Sequence, residues 1–286
     1  MLVVTCVALW ASRRQQLAPE AREALKEVTI VSVPIADVRR EPIDSSELVT
    51  QGLYGSSLTV LVRRPGWLGV KVEIQGGYMG FVHDNLVANV KVPEGSGWIV
   101  VDPQAPVYVQ PREDGEELVT LYAGSTVYGV QKASDWVQVD VPPLGRGWMK
   151  AQSVSELGKL GPPNGELLIA TARKFTGVPY KWGGVSVRGI DCSGLTYICC
   201  LVNGILIPRD ADTQFESMKE RGVTRSELLP GDLVFFSTNG QFATHVGFYE
   251  GNGMFLSALS SVGKVLPDQL DSPYWTTRFF GAARPY

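Results

Sequence analysis

The sequence has few of the residues from which metal sites and disulfide frameworks are built. It contains two histidines, His83 and His245, far apart in the chain, and four cysteines that form no CxxC pair. A zinc site is usually built from closely spaced Cys and His ligands, so no metal is expected, and no cofactor is expected either. Because no disulfide framework is visible, cysteine usage does not reveal the redox compartment.

The chain also lacks a strong excess of charge and a long apolar run. Its formal net charge is -3 at pH 7, and the Lys and Arg residues are scattered, which argues against binding to nucleic acid. No segment approaches the roughly 18 apolar residues of a membrane-spanning helix. We therefore expect a globular monomer with no nucleic acid partner and no membrane span.

Residues 1–27 are predicted to be either a docked N-terminal helix or the remnant of an export signal. Leu2 to Ala11 is apolar but has no positive residue before it, and Cys6 only faintly suggests a lipid-attachment site. We favour the helix, and with it a cytoplasmic location over the cell envelope or secretion.

Residues 28–160 contain an internal repeat of strand-like segments with a period of roughly 70 residues, the size of one small module. The repeated segments are YGSSLTV (54–60) with YAGSTV (122–127), WLGVKV (67–72) with WVQVDV (136–141), and GYMGFV (77–82) with GRGWM (145–149). Short strands with aromatic ends predict a small all-β barrel. Clusters of Gly and Pro near 93–97 and 161–164 then predict modules at 28–92 and 93–160, docked on the remaining chain by a short, stiff join.

From residue 161 the pattern changes to helices followed by strands. Residues 166–175 have a helical period, 195–202 form an apolar run that predicts a buried helix, and 212–220 predict a third helix. Strands are predicted around four positions: Leu233, Val246, Met254 and Phe279. This order predicts an α+β fold for residues 161–286.

A cysteine at the start of the buried helix is the candidate nucleophile. Cys192 follows Asp191, a plausible N-cap, and the free N–H groups of a helix start lower the pKa of a nearby thiol. His245 opens a later strand, and a Cys on a helix with a His on a strand is the arrangement of a thiol hydrolase. The alternative is a small buried cysteine without chemistry. His83 is interpreted as a surface residue of the first module.

Five segments resemble the NlpC/P60 cysteine peptidases, which cut peptidoglycan stem peptides. In family order they are YKWGG (180–184), DCSGL (191–195), IPRDADTQ (207–214), GDLVFF (231–236) and HVGFYEG (245–251). The resemblance implies a papain-like catalytic domain at 161–286 behind two bacterial SH3-like (SH3b) barrels. It also implies that the Tyr180 hydroxyl joins the backbone N–H of Cys192 in stabilising the oxyanion.

Two SH3b modules joined directly to this domain resemble the YkfC-like branch of γ-D-glutamyl-L-diamino acid endopeptidases. These enzymes cut after D-Glu in peptidoglycan peptides whose N-terminal L-Ala is free, in murein peptide recycling or cell-wall turnover. The sequence does not choose between Lys and diaminopimelate as the diamino acid. A catalytically impaired cell-wall-binding protein, or a different thiol amidase or acyltransferase on the same fold, stays open as an alternative.

The resemblance implies a substrate ammonium site built partly by the first module. Asp210 is the expected carboxylate, Glu41 is a second candidate, and Tyr78 is expected to line the pocket from the module. Each residue also has a purely structural alternative. Asp210 could pair with Arg209 or cap the next helix. Glu41 could be an ordinary surface residue, and Tyr78 could belong to the core of the module.

Residues beside the nucleophile are expected to bind the D-Glu portion of the substrate. They are Asp191, Ser193 and Trp182. Asp191 has helix capping as its structural alternative.

The third catalytic position differs from the family pattern, which usually has a second His about one strand after the base. The matching run here is MFLSA (254–258), so Ser257 takes that place. Strand alternation keeps Ser257 on a definite face, where we predict that it accepts the Nδ1–H bond of His245 directly or through a water. The alternative is a drifted position in a slow or inactive enzyme.

Overall fold

A computed structural model describes residues 25–93, 97–156 and 160–286. Cys6 and the predicted N-terminal helix up to residue 24 lie outside the described residues. Residues 25–27, the end of that predicted helix, belong instead to a strand that begins at Leu25. This correction has a physical cause, since backbone pairing with residues 91–93 satisfies their N–H and C=O groups.

Residues 25–93, called the first module, form a seven-stranded antiparallel sheet in the order β3-β2-β6-β5-β4-β1-β7. Apolar side chains from five of its strands meet in one cluster, so the sheet curves around a core. No pairing among the described residues joins the edge strands β3 and β7, so the sheet curves without closing into a complete barrel. The strands are β1 (Leu25–Val31), β2 (Ile35–Arg39), β3 (Leu48–Leu53), β4 (Ser57–Arg64), β5 (Trp67–Val72), β6 (Tyr78–His83) and β7 (Val87–Pro93).

Residues 97–156, called the second module, repeat this arrangement strand for strand. Their sheet has the order β10-β9-β13-β12-β11-β8-β14, which is the order of the first sheet with each number raised by seven. The internal repeat of the sequence is therefore a repeat of topology. The strands are β8 (Trp98–Val100), β9 (Gln104–Tyr108), β10 (Glu117–Tyr122), β11 (Thr126–Ala133), β12 (Trp136–Val141), β13 (Gly145–Lys150) and β14 (Val154–Glu156).

Residues 160–286, called the C-terminal domain, begin with helices. The central one, α2, is buried along its whole length, as expected of a helix that is apolar all round. The third helix ends at residue 217, earlier than predicted, and a 3-10 turn follows it. The helices are α1 (Gly165–Arg173), α2 (Cys192–Val202), α3 (Ala211–Ser217) and α4 (Pro273–Thr276), and a short hairpin of β15 (Val185–Ser186) and β16 (Gly189–Ile190) precedes α2.

A five-stranded antiparallel sheet, in the order β20-β19-β18-β17-β21, completes the C-terminal domain. The helix α2 packs against β18, so the α+β prediction is confirmed. The strand β20 was not predicted because Pro267 interrupts its pattern; it lies at the sheet edge, where a missing N–H is tolerated. The strands are β17 (Leu233–Phe236), β18 (His245–Gly251), β19 (Met254–Leu259), β20 (Lys264–Gln269) and β21 (Phe279–Ala283).

Short 3-10 turns complete the regular structure at Glu73–Gln75, Asp84–Leu86, Ala151–Ser153, Lys219–Arg221 and Arg225–Glu227. None of the helices in the described ranges has the length and apolar character needed to cross a bilayer.

Both modules are docked on the C-terminal domain through one shared apolar core. Leu53 of the first module and Ile99 of the second belong to the same buried cluster as Leu195 and Ile198 of α2. Gly124 of the second module has a φ of +91°, which favours glycine, and a Cβ atom there would lie 2.9 Å from Leu53 Cδ1 and 3.1 Å from Ile198 Cδ1, so all three units approach closely at this point. The docking positions side chains of the first module beside the start of α2.

Candidate active site

The start of α2 is held by a carboxylate that serves several partners at once. Asp191 is the N-cap of α2 and accepts a hydrogen bond of 2.7 Å from the Gly194 N–H. It also accepts one of 2.8 Å from the Gly183 N–H, in the loop that carries Tyr180 and Trp182. The loop and the nucleophile are therefore fixed to each other by one side chain.

Both oxygens of the Asp191 carboxylate also accept hydrogen bonds from a buried arginine. Arg209 is 1% exposed and binds Asp191 through both terminal nitrogens, at 3.0 and 2.7 Å. It also donates to Ser193 Oγ at 2.8 Å and, from its Nε, to Thr50 Oγ1 of the first module at 3.1 Å. Asp191 and Ser193 both border the cavity that opens on Cys192, while this network already engages their side-chain oxygens, so their predicted contacts with the D-Glu portion stay a prediction. Their hydrogen bonds fix the start of α2 to Arg209.

The thiol of Cys192 is buried at the first residue of α2. Burial raises the pKa of this thiol to about 12, and the Asp191 carboxylate acts in the same direction. The backbone N–H groups of Val246 and Ser193 donate toward the sulfur and lower its pKa, as does the Arg209 guanidinium. These three groups only partly offset the rise in pKa caused by burial. The Cys192 side chain is therefore a neutral thiol at pH 7.

The imidazole of His245 lies at the first residue of β18, next to the Val246 N–H that reaches the thiol. It stacks on the ring of Trp275, with 5.1 Å between ring centroids and 20° between planes. Burial lowers the pKa of His245 to about 4, although the carboxylates of Asp191 and Asp268 act in the opposite direction. The imidazole is therefore neutral at pH 7 and able to accept a proton.

The hydroxyl of Ser257 selects the tautomer of this imidazole. Its Oγ lies 2.6 Å from the Val246 carbonyl oxygen and 3.0 Å from His245 Nε2. A carbonyl only accepts, so the single O–H of Ser257 is donated to Val246, and the Oγ accepts the Nε2–H of His245. The contact was predicted, but to Nδ1; the structure makes it to Nε2, which leaves Nδ1 without a hydrogen and free to act as base.

Tyr180 lies beside the nucleophile on the loop that Asp191 holds. A parallel bridge joins it to Ile190, next to the N-cap, and its N–H donates to the Gly263 carbonyl oxygen at 2.8 Å. Burial raises the pKa of its phenol, and proximity to Cys192 contributes to this. Within the described ranges its hydroxyl makes no hydrogen bond to protein, so the donor is available to a reacting group.

A cavity of about 230 Å³ opens on Cys192 and is bordered by Trp182 and Asp210. Asp210 occupies the N-cap position of α3, yet its side chain caps nothing; its Oδ2 accepts a hydrogen bond of 2.9 Å from the Tyr78 hydroxyl of the first module. Burial raises the pKa of Asp210, while the Arg209 guanidinium and the Tyr78 hydroxyl lower it. The predicted meeting of Tyr78 and Asp210 is thus present, 132 residues apart in the chain.

The first module also brings an acidic side chain to the Trp182 ring, that of Glu47, which was not predicted from the sequence. The Trp182 Nε1–H donates to Glu47 Oε1 at 3.0 Å, and Glu47 is also paired with Arg40. Glu41, the second candidate for the ammonium site, is exposed; its backbone N–H donates to Ser46 Oγ at 2.9 Å and its carbonyl oxygen accepts from the Ile43 N–H at 2.8 Å. Among the described residues that border the cavity of Cys192, Glu41 does not appear, because the segment between β2 and β3 leaves its side chain exposed.

The other histidine, His83, does not contact Cys192 or His245 among the described residues. His83 Nε2 lies 2.8 Å from Asp44 Oδ1, and its ring stacks on Trp67 with 3.7 Å between centroids. Both partners belong to the first module, so His83 does not compete with His245 as the base.

A second cavity, of about 210 Å³, is bordered by His245, Trp275 and Arg278. Thr244 borders both cavities. Cys192 therefore borders one cavity and His245 the other, and Thr244 connects the two.

Comparison with known proteins assigns this arrangement to a family. The model of the NlpC/P60 family matches residues 177–284. A γ-D-glutamyl-L-lysine dipeptidyl-peptidase of Bacillus subtilis (strain 168) is 31% identical over 216 residues, which cover 72% of this chain and 71% of that protein. The protein of the same name from Bacillus cereus (strain ATCC 10987 / NRS 248) is 28% identical over 256 residues, covering 84% of this chain and 76% of that protein.

Among solved structures, an NlpC/P60 family protein from Bacillus cereus ATCC 10987 has the same fold across the three units. It superposes with a TM-score of 0.80 at 23% identity and covers 91% of this chain and 99% of that one. The resemblance predicted from the five sequence segments is confirmed. The chain belongs to the NlpC/P60 family.

Proposed function

We propose that the chain is a cysteine endopeptidase that hydrolyses the γ-D-glutamyl–diamino acid bond of peptidoglycan peptides with a free N-terminal L-Ala. The names of its relatives from Bacillus subtilis and Bacillus cereus support the bond that is cut. The observation that carries the proposal is the Asp210 carboxylate at the cavity of Cys192, held by the Tyr78 hydroxyl of the first module.

The ammonium of the N-terminal alanine is assigned to Asp210. The other acid at this cavity with a buried carboxylate, Asp191, is neutralised by Arg209, whereas Asp210 accepts one hydrogen bond, from Tyr78. A partly buried carboxylate gains a charged partner from an incoming ammonium, and a neutral acetyl group offers it none. The site therefore selects a free amino terminus over a blocked one.

Thiolate formation is coupled to attack on the substrate. Cys192 and His245 are both neutral at rest, since burial raises the pKa of the first and lowers that of the second. The Nδ1 lone pair, left free by the bond of Nε2–H to Ser257, takes the thiol proton as the sulfur attacks the D-Glu carbonyl. The Val246 and Ser193 N–H groups stabilise the charge that develops on sulfur.

The oxyanion and the leaving amine have separate partners. The Cys192 N–H, at the first residue of α2 and without an intrahelical partner, and the Tyr180 hydroxyl are the proposed oxyanion donors. The Nδ1–H of His245 then protonates the departing α-amine of the diamino acid, which leaves a thioester on Cys192. A water activated by the same imidazole hydrolyses the thioester and restores the thiol.

We assign a role to two of the three predicted domains, which lie at 28–92, 93–160 and 161–286; the first begins at residue 25 in the structure. The domain at 161–286 would catalyse the hydrolysis. The first module would close the cavity, since it supplies the hydroxyl of Tyr78 and the carboxylate of Glu47.

The test uses L-Ala-γ-D-Glu-L-Lys and its N-acetylated form, with products identified by mass spectrometry. We expect release of Lys from the free peptide only, and loss of several orders of magnitude in turnover for Cys192→Ser and for His245→Ala. His83→Gln is the matched control and should cleave like the wild type. Equal cleavage of both peptides would refute the ammonium site, and an active Cys192→Ser protein would refute the mechanism.

A further inference from the structure

The cavity beside His245 contains a cation that has no acidic partner. Arg278 borders this cavity and is half-buried. Its guanidinium lies over the Tyr274 ring, 3.9 Å from the centroid. Within residues 25–93, 97–156 and 160–286 no carboxylate pairs with it. An unpaired guanidinium in a recess is a ready partner for an anion.

The hydrogen bonds of Arg278 leave one particular edge of the guanidinium open. Its Nη1 donates to the Tyr274 carbonyl oxygen at 3.0 Å and to Thr277 Oγ1 at 3.2 Å. In the part of the chain that the structure describes, its Nε and Nη2 donate to no protein atom. The Nε–H and one Nη2–H together form the fork that binds a carboxylate through two parallel hydrogen bonds.

The open edge is held in place by its surroundings. The Arg278 N–H donates to the Trp275 carbonyl oxygen at 3.1 Å, and its carbonyl oxygen accepts from the Ser237 N–H at 2.8 Å. Tyr274, on which the guanidinium lies, packs edge-on against Trp275, and Trp275 stacks on the imidazole of His245. A continuous set of ring contacts thus links the cation to the catalytic base.

The chemistry of the reaction decides which part of a substrate reaches this cavity. The imidazole that protonates the leaving amine must lie on the leaving-group side of the scissile bond. The acyl side, with its ammonium, is assigned to the cavity of Cys192 and Asp210, so the amine side falls in the cavity of His245.

We infer that Arg278 binds a carboxylate of the leaving diamino acid and makes the enzyme selective for substrates that carry one there. The inference rests on the proposed function. Two sources of this carboxylate exist: the α-carboxylate of a C-terminal diamino acid, and the side-chain carboxylate of diaminopimelate.

Four peptides separate these sources: L-Ala-γ-D-Glu-L-Lys, its C-terminal amide, L-Ala-γ-D-Glu-meso-diaminopimelate, and that peptide amidated at the α-carboxylate only. Each is assayed for kcat/KM with the wild type, Arg278→Gln and Arg278→Lys. Arg112→Gln, an equal change of charge on an exposed arginine of the second module, is the control. Thermal melting verifies that each variant is folded.

The Lys amide has neither carboxylate and should be the poorest substrate of the wild type. We expect Arg278→Gln to lower kcat/KM about 10- to 100-fold for peptides with the recognised carboxylate, and less than about twofold for the Lys amide. Arg278→Lys should recover part of this loss, because it restores the charge without the fork. If the Lys peptide is preferred over its amide, the α-carboxylate is the source; if the α-amidated diaminopimelate peptide is preferred over the Lys amide, the side-chain carboxylate is the source.

Two results would overturn the inference while the proposed function stands: a wild type that cleaves all four peptides equally, or an Arg278→Gln protein that loses the same factor on every peptide. If the wild type cleaves none of the four at the D-Glu bond, the proposed function fails and the inference fails with it.

Discussion

Replacement of Ser257 by alanine tests how the imidazole is held. Ser257 is fully buried and joins the Val246 carbonyl to His245 Nε2. Ser257→Ala removes the acceptor of the Nε2–H, so the ring loses both its fixed orientation and the bond that favours the Nε2–H tautomer. In the other tautomer Nδ1 carries a hydrogen and cannot accept the thiol proton.

The expected loss in kcat/KM is roughly tenfold. A hydrogen bond between neutral groups contributes about 1 kcal/mol, and a tenfold change in rate corresponds to about 1.4 kcal/mol. The stack of His245 on Trp275 remains in the variant and limits the damage. Ser226→Ala, which truncates an exposed serine of the same domain, is the control and should leave the rate unchanged.

Two measurements decide the outcome. The first is kcat/KM for the free tripeptide. The second is nitrogen NMR of isotope-labelled histidine, which is simple to assign because the chain has two histidines and His83→Gln removes one signal. A wild type with its hydrogen on Nδ1 would contradict the hydrogen-bond assignment, and an unchanged rate in Ser257→Ala would show that Ser257 does not orient the base.

Three further predictions follow from the charges of the site. Because burial lowers the pKa of His245 to about 4 and raises that of Cys192 to about 12, protonation of the base should reduce kcat only as pH drops toward about 4, and the ultraviolet absorbance of a thiolate should be absent between about pH 5 and 9; a thiolate signal at neutral pH would refute the neutral pair. Tyr78→Phe removes a hydrogen bond to the Asp210 carboxylate and should lower kcat/KM for the free-amino peptide about tenfold, and an unchanged value would exclude the pair from substrate binding. Arg209→Met leaves a buried carboxylate without its ion pair and should lower the free energy of unfolding in urea by about 3–5 kcal/mol; a loss below about 1 kcal/mol would contradict this role.

Features that depend on a few neighbouring residues could be predicted from the sequence. Asp191 caps α2 within three residues of itself, so its role at the Cys192 helix start was visible in the motif. The strand that His245 opens follows from a local β-branched and aromatic pattern. The recurrence of one module in the other follows from the repeat of the sequence pattern.

Features that depend on which turns bring distant segments together could not be predicted. The conformation of the turn between β2 and β3 decides that Glu47 rather than Glu41 reaches Trp182, although both are acids of the same turn. Arg209 pairs with Asp191 and not with Asp210 because its side chain is buried beside Asp191. The sequence does not show this burial, since Arg209 is only one of its many basic residues.

The sequence by itself therefore determined the fold class and the placing of the proposed nucleophile and base at a helix start and a strand start, because helix starts, strand alternation and repeats are recorded in short-range patterns. Only the tertiary structure decided which nitrogen of His245 contacts Ser257, which carboxylate stays free for an ammonium, and where Arg278 lies. These properties arise from contacts such as that of Tyr78 with Asp210, whose partners are 132 residues apart. Burial also shifts the pKa values of Cys192, His245 and Asp210. Neither the long-range contacts nor the burial can be read from a local sequence pattern.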